Sequence, residues 1–474
     1  MDAVSNHVHF TLPVDYYVGM QRAGNKPGLY RLENVRAFLD EPGEWYYDRH
    51  AGRIDYLPRD GECPSSSGFQ AVASSLKTLL VVKGDAAGSQ SVRNVTFRGI
   101  TFRDVDATTD VKDPTNGSQG SSHVGAALKI SGAHTMLFEG CRFCGLDGFA
   151  ADVVGGSRGV VFRRCVFRDL GAGAIRIDGG GVNAHPALRT RENVVEDCEI
   201  GDYGLDWASA VGVLVMRSDR NRIVHNWIHD GYYTAISAGW TWGYNDSVSS
   251  GNVIVGNRIE HIGKGVLNDM GGIYLLGPTP GTIVRGNVVH GISSWSYGGH
   301  ALYCDEGTQG VLIEKNVFYD APDVFNIHYG REITFRNNIV ALGRHSLFNT
   351  GAVENHVTLY MYGNVFYAED CRLENAGTRW RADQPYEYRI SPHEKHLGRR
   401  QDHAIADWNL FYRKGVEKEV GMKGLVDGRV NIHSLWGDPK FADPARGDFT
   451  LAPDSPAFAL GFEAFDGKTA GPRK

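Results

Sequence analysis

Proline is scarce in this chain, 17 residues in 474, and nowhere does an unbroken apolar run reach the length of a membrane span. The first shortage argues against a disordered chain; the second removes a membrane-spanning helix. Positive charge is in deficit as well: Lys and Arg number 49 against 55 Asp and Glu, a net charge of −6. Nothing here builds the basic surface that nucleic acid requires. The opening residues Met1-Asp2-Ala3-Val4-Ser5 lack the basic and apolar regions of a secretory signal, so no signal peptide is read here and the location is left open: cytoplasmic unless the N-terminus is incomplete. Seven cysteines, an odd count, show no zinc-finger spacing. Cys141 and Cys144 form C-x-x-C, but no second pair follows and no βαβ pattern surrounds them. The leucine pattern of leucine-rich repeats is absent, and so is helical periodicity in the apolar segments.

What is present is glycine, 60 residues, and a repeat. A six-residue template places an apolar residue first, a small residue fourth and an apolar residue last. It matches Phe138/Cys141/Phe143, Phe162/Cys165/Phe167 and Val195/Cys198/Ile200. It continues through Ile223/Asn226/Ile228, Ile254/Asn257/Ile259, Val284/Asn287/Val289, Ile313/Asn316/Phe318, Phe335/Asn338/Val340 and Met361/Asn364/Phe366. Phe97/Ile100/Phe102 precedes the set and Ala406/Asn409/Phe411 follows it. From Cys141 to Asn364 the fourth positions lie 24, 33, 28, 31, 30, 29, 22 and 26 residues apart. Three short strands with their turns consume about this much chain. The predicted fold is therefore all-β: a right-handed parallel β-helix of the pectate-lyase kind, with roughly ten coils. The fourth positions should form one internal column, in which stacked asparagine amides satisfy one another. Cys141, Cys165 and Cys198 should continue it as small core residues.

Residues 1–90 fall outside the template and are expected to form a β-rich segment with a hairpin around Arg49-His50-Ala51-Gly52. Residues 91–474 are assigned to the helix. Polar insertions are expected at 104–124, 179–192, 240–251 and 368–404, and the tail from Gly437 to Ala457 as a terminal cap.

Downstream of each column residue comes a second strand. Its rungs read Ile175-Arg176-Ile177-Asp178, Ile236-Ser237-Ala238-Gly239, Ile273-Tyr274-Leu275-Leu276, Leu302-Tyr303-Cys304-Asp305 and Phe325-Asn326-Ile327-His328. Alternation turns the second and fourth residues outward. The outward column then gathers Arg176, Asp178, Ser237, Tyr274, Tyr303, Asp305, Asn326 and His328. Trp240, Trp242 and Trp295 lie in the flanking turns. Carboxylates beside aromatic rings suit a sugar site, because rings stack on the apolar face of a pyranose while acids handle its hydroxyls and protons. Asp269 and Asp305 come from adjacent rungs, in Asn268-Asp269-Met270-Gly271-Gly272 and Tyr303-Cys304-Asp305-Glu306-Gly307. Glu306 also reads as a turn residue, and Asp269 as the start of an Asx turn. His123, His225, His229, His261 and His290 have no metal-ligand spacing and are expected in turns or on the surface.

The run from His229 to Trp240, the two acid motifs and Glu41-Pro42-Gly43-Glu44-Trp45-Tyr46-Tyr47-Asp48 resemble bacterial β-helix enzymes of glycoside hydrolase family 141. The resemblance spans about residues 28–460. It implies a glycosidase of the α-L-fucosidase or xylanase type, with Asp269 and Asp305 as the catalytic carboxylates and an extracellular or periplasmic location. The expectation is then hydrolysis of a plant or microbial polysaccharide by Asp269 and Asp305. Substrate contacts are expected from Trp240, Trp242, Tyr274, Trp295, Tyr303, Glu306, His328, Arg176 and Asp178, with no metal or cofactor and a monomeric chain. Two rivals stand beside it. A polysaccharide lyase or uronate epimerase would need a cation to neutralise a uronate carboxyl, and Arg176 is the obvious one in the column. A non-catalytic adhesin would bind sugar without turnover.

Overall fold

The computed structural model describes residues 29, 32–106, 119–352, 354, 356–374, 403–426 and 430–473. Parts of two expected insertions, 107–118 and 375–402, lie outside these. The chain divides into two compact units, Met1–Ser75 and Leu76–Lys474. In the first, strands Trp45–Asp48 and Arg53–Tyr56 form an antiparallel hairpin, Trp45 opposite Tyr56. Its turn carries Gly52 at φ +64°, a left-handed backbone that glycine adopts without steric cost.

The second unit is a right-handed parallel β-helix of three parallel sheets, here called A, B and C, with twelve strands each among the described residues. Every chain circuit contributes one strand to each sheet, so a strand pairs with its counterpart from the next coil. In sheet B, Ile223, Ile254, Val284, Ile313, Phe335 and Met361 lie in register. The inward residues are Val, Ile, Leu and Phe because each strand has one face turned to a continuous core. Phe97, Phe138 and Phe162 stack at 4.9 and 4.8 Å between ring centroids, and Phe102, Phe143 and Phe167 at 5.1 and 4.6 Å. The stack is entered before the first template match, since strand Leu80–Lys83 already pairs with Ala126–Ser131 in sheet A.

The asparagine column stands at the corner between sheets B and C. Asn226 donates its backbone N–H and its amide to Asn257 Oδ1, both at 3.0 Å. The same double bond repeats from Asn257 to Asn287, Asn316, Asn338, Asn364 and Asn409. Cys198 joins it, its N–H donating to Asn226 Oδ1 at 3.0 Å. Cys141, Cys165 and Cys198 are buried free thiols. A second ladder, missed in the sequence, links Asn193, Asn221 and Asn252 at the corner before sheet B. Each of its members stands five residues before Cys198, Asn226 or Asn257, so the same spacing was there to be read.

The C-terminal segment departs from expectation. Buried Leu425 and Val430 join the end of the core. The stretch expected as a cap lies instead on the outer face of sheet C, where Phe441, Phe449, Ala457 and Phe462 pack on Val317, Ile339, Val365 and Tyr367. The outward residues of those strands are apolar and need such a cover. The segment ends with the Arg473 guanidinium donating to both carboxylate oxygens of Asp197, at 2.8 Å each. Two of the histidines expected on the surface are also built in: His229 is buried and stacks on Trp227, and His290 stacks on Tyr319. Among the described residues no helix is long and apolar enough to cross a membrane.

Candidate active site

Sheet A sets the acid-bearing strands side by side: Ile236–Gly239, Met270–Pro278, Gly299–Gln309 and Asp323–Ile327. Register places Ser237 beside Tyr274, Tyr274 beside Tyr303, Tyr303 beside Asn326 and Leu276 beside Asp305. The outward face was expected to be exposed. It is not: Tyr274 is 2% exposed, Tyr303 5% and Asp305 6%. Loops from other coils fold over it, which strand alternation does not reveal. Gln119 reaches across to donate to the Tyr274 and Tyr233 hydroxyls at 3.2 and 3.4 Å.

Asp269 sits at the turn into strand Met270–Pro278 with φ +56°, a left-handed conformation that aspartate tolerates better than most residues. The neighbouring loop is fastened to this turn. Asn268 Oδ1 accepts from the N–H groups of Ser296 and Tyr297 at 2.8 and 3.2 Å, and Asp269 N–H donates to Tyr297 O at 3.4 Å. Gly298 packs so closely that a Cβ there would stand 2.9 Å from Asp269 Cα. Tyr233 donates its hydroxyl to the Asp269 carbonyl at 2.8 Å, and Tyr303 to the Asp269 carboxyl at 3.1 Å.

Asp305, on the next coil, accepts from the Tyr274 hydroxyl and from His328 Nδ1, the latter at 2.9 Å. The Tyr274 and Tyr303 rings meet edge to face at 4.8 Å, so the phenol on Asp305 packs against the phenol on Asp269. The two carboxyls are displaced in opposite directions. Burial, then the Asp305 charge, push Asp269 above the ordinary carboxylate range. Burial pushes Asp305 up too, but the bonds from His328 and Tyr274 outweigh it and hold Asp305 below that range. Burial would lower His328, yet its bond to Asp305 and the surrounding carboxylates keep it raised. Asp269 therefore keeps its proton to a higher pH than Asp305 does, the split from which acid and base roles are read.

The other expected contacts divide. Glu306 accepts from the Tyr329 hydroxyl at 3.0 Å, beside the acids. Trp242 is 44% exposed and meets Trp240 edge to face at 5.6 Å. Trp240 is 8% exposed and bonds Ser237 Oγ at 2.9 Å, so it forms a wall rather than an open platform. Trp295 is half-buried in the loop fastened to Asn268, its backbone N–H donating to Leu267 O at 2.8 Å. Arg176 and Asp178 stand apart from the acids. An unrecognised rung, Val213–Met216, intervenes, placing Leu214 between Arg176 and Ser237 and Met216 between Asp178 and Gly239. Arg176 is occupied by Asp152 at 2.9 Å and by the carbonyls of Ser122 and Val124. Asp178 is paired with Arg217 at 2.5 Å. Tyr233, Gln119, Tyr329 and His300 were missed. His300, whose pKa burial pushes down, packs on the Tyr303 ring at 4.8 Å. Among the described residues no group of three His, Cys, Asp or Glu side chains could hold a metal ion.

A model of the family described as right-handed beta helix region matches residues 74–228, 121–273 and 187–366. Among solved structures, the chain is similar to one titled "Glycoside hydrolase", at 23% identity and a TM-score of 0.52, covering 67% of this chain and 56% of that one. The mannuronan C-5 epimerase A-module of Azotobacter vinelandii matches at 12% identity and a TM-score of 0.38, covering 71% and 79%. A GH136 lacto-N-biosidase from Eubacterium ramulus matches at 11% and 0.38, covering 62% and 55%. The chain thus spans little more than half of the first of these. No curated protein matches it in sequence.

Proposed function

We propose that this chain, which belongs to the right-handed β-helix family, is a glycoside hydrolase acting on a plant or microbial polysaccharide, of the α-L-fucosidase or xylanase type. The observation that carries the reading is the pair Asp269 and Asp305 on adjacent coils, each bonded by a tyrosine of a packed Tyr303–Tyr274 pair and displaced in opposite directions in pKa. Asp269 is the general acid: it holds a proton and delivers it to the departing glycosidic oxygen. Asp305 stays ionised and either attacks the anomeric carbon or takes a proton from the attacking water. His328 and Tyr274 hold its charge in place as it acts. Trp242 offers the exposed ring for sugar stacking. The 23%-identical structure is itself named a glycoside hydrolase, in agreement with this reading.

The lyase and epimerase reading is less well supported, because Arg176, the cation it called on, is bound to Asp152 and to main-chain carbonyls. Incubation with aryl glycosides and plant polysaccharides, followed by product analysis, tests the choice. New reducing ends without an ultraviolet-absorbing unsaturated sugar are expected. Unsaturated products would replace the hydrolase with a lyase, and binding without turnover would replace it with an adhesin.

A further inference from the structure

The same sheet carries a cation that the acid pair does not use. Arg331 lies in the two-residue strand Gly330–Arg331, where it pairs with Gln309 of strand Gly299–Gln309. Gln309 is opposite Pro278, and Asp305 is opposite Leu276. Across a register shift in that pairing, Arg331 is one coil beyond Asp305 and three residues past His328, which stands beside Asp305. At about 4.8 Å per coil and about 3.3 Å per residue, its backbone lies within about 11 Å of that of Asp305.

The Arg331 guanidinium lies over the Tyr244 ring, its Cζ 4.5 Å from the centroid. Its Nε is buried without a hydrogen bond, and among the described residues the group makes no ion pair. Tyr244 is itself held. Its hydroxyl donates to Glu354, a carboxylate with no exposed surface, and its ring meets Tyr329 edge to face at 5.9 Å. Tyr329 in turn meets the His328 ring at 5.0 Å. A continuous aromatic path thus runs from the Asp305–His328 pair to Arg331. Around the acids the charge is mainly negative, which repels an anionic sugar at the point of cleavage. One coil on, a guanidinium lies over an aromatic ring with no carboxylate paired to it among the described residues. A planar, preorganised donor of this kind matches a carboxylate through two parallel N–H bonds.

We propose that Arg331, held by Tyr244, binds the carboxylate of a uronosyl unit next to the sugar whose linkage is cleaved. The position of the cleaved linkage rests on the hydrolase reading; recognition of the carboxylate does not. The test uses uronate oligosaccharides from pectin, glucuronoxylan and alginate, each also in carboxyl-reduced form. Calorimetry on the full chain carrying Asp305→Asn measures binding without turnover. At least one acidic oligosaccharide is expected to bind about tenfold tighter than its reduced form, as one charge-assisted pair supplies. Arg331→Gln should reduce that preference to less than about twofold, and Arg331→Lys should keep part of it. If Arg331→Gln fails to fold, the arginine chain in rising salt gives the same answer, since screening should erode the preference. No preference for any acidic member, or a preference untouched in Arg331→Gln, overturns the proposal. Tighter binding of inorganic sulfate than of every uronate would overturn the carboxylate assignment. Failure of the hydrolase reading shows separately, as absence of turnover by the unmodified chain while the binding preference remains.

Discussion

The His328 imidazole holds the Asp305 carboxylate at 2.9 Å, Nδ1 to Oδ1, from the next coil of the same sheet. This bond opposes burial in keeping Asp305 ionised. A base with a depressed pKa and an acid with a raised one give a bell-shaped dependence of kcat/KM on pH. The acid limb, set by Asp305, should fall below the ordinary carboxylate range; the alkaline limb, set by Asp269, above it. His328→Asn removes the bond that lowers Asp305, so the acid limb should move upward in pH while the alkaline limb changes less. The misplaced carboxylate should also cost about tenfold or more in kcat. A pH profile of the folded variant that superimposes on the original would show that His328 does not tune the base.

Trp242, exposed beside the buried Trp240, should contact sugar equally before and during the reaction. Trp242→Ala is therefore expected to raise KM by about tenfold while kcat changes less than about threefold. Steady-state kinetics on an oligosaccharide decide it; a loss confined to kcat would place the ring at the reacting centre instead.

In the asparagine column, Asn287 Oδ1 receives both the backbone N–H and the amide of Asn257, each at 2.9 Å. Asn287→Ala strands those two buried donors, at about 1–3 kcal/mol for each unsatisfied group. Denaturant unfolding should show a loss of at least about 2 kcal/mol. Substituting the half-buried Lys315 at the same corner should cost far less. Equal costs at the two positions would mean that the ladder is not what holds the coils in register.

The column was legible because one chemical requirement, a small or amide side chain at an inward corner, recurs at coil spacing. The pairing of Tyr274 with Tyr303 was legible because each tyrosine follows an inward aliphatic residue, Ile273 or Leu302, and one register step relates them. Val213–Met216 was not, because all four of its residues are apolar and buried and show no alternation. Missing that rung brought Arg176 and Asp178 into the acid column, although Leu214 and Met216 separate them from it. Tyr233, Gln119 and Tyr329 come from turns and loops, where no period marks an inward or outward side. The burial of Asp305 depends on those same loops, so strand alternation alone made it look exposed.

The central claim, Asp269 as acid and Asp305 as base or nucleophile, is tested most directly by the leaving-group dependence of two folded variants. Without its acid, Asp269→Asn should lose roughly a hundredfold or more on a natural glycosidic linkage. On an aryl glycoside whose phenol departs without protonation it should lose far less. Asp305→Asn should lose roughly a hundredfold or more on both substrates. Equal losses on the two substrates for Asp269→Asn, or near-normal turnover by either variant, would contradict the assignment.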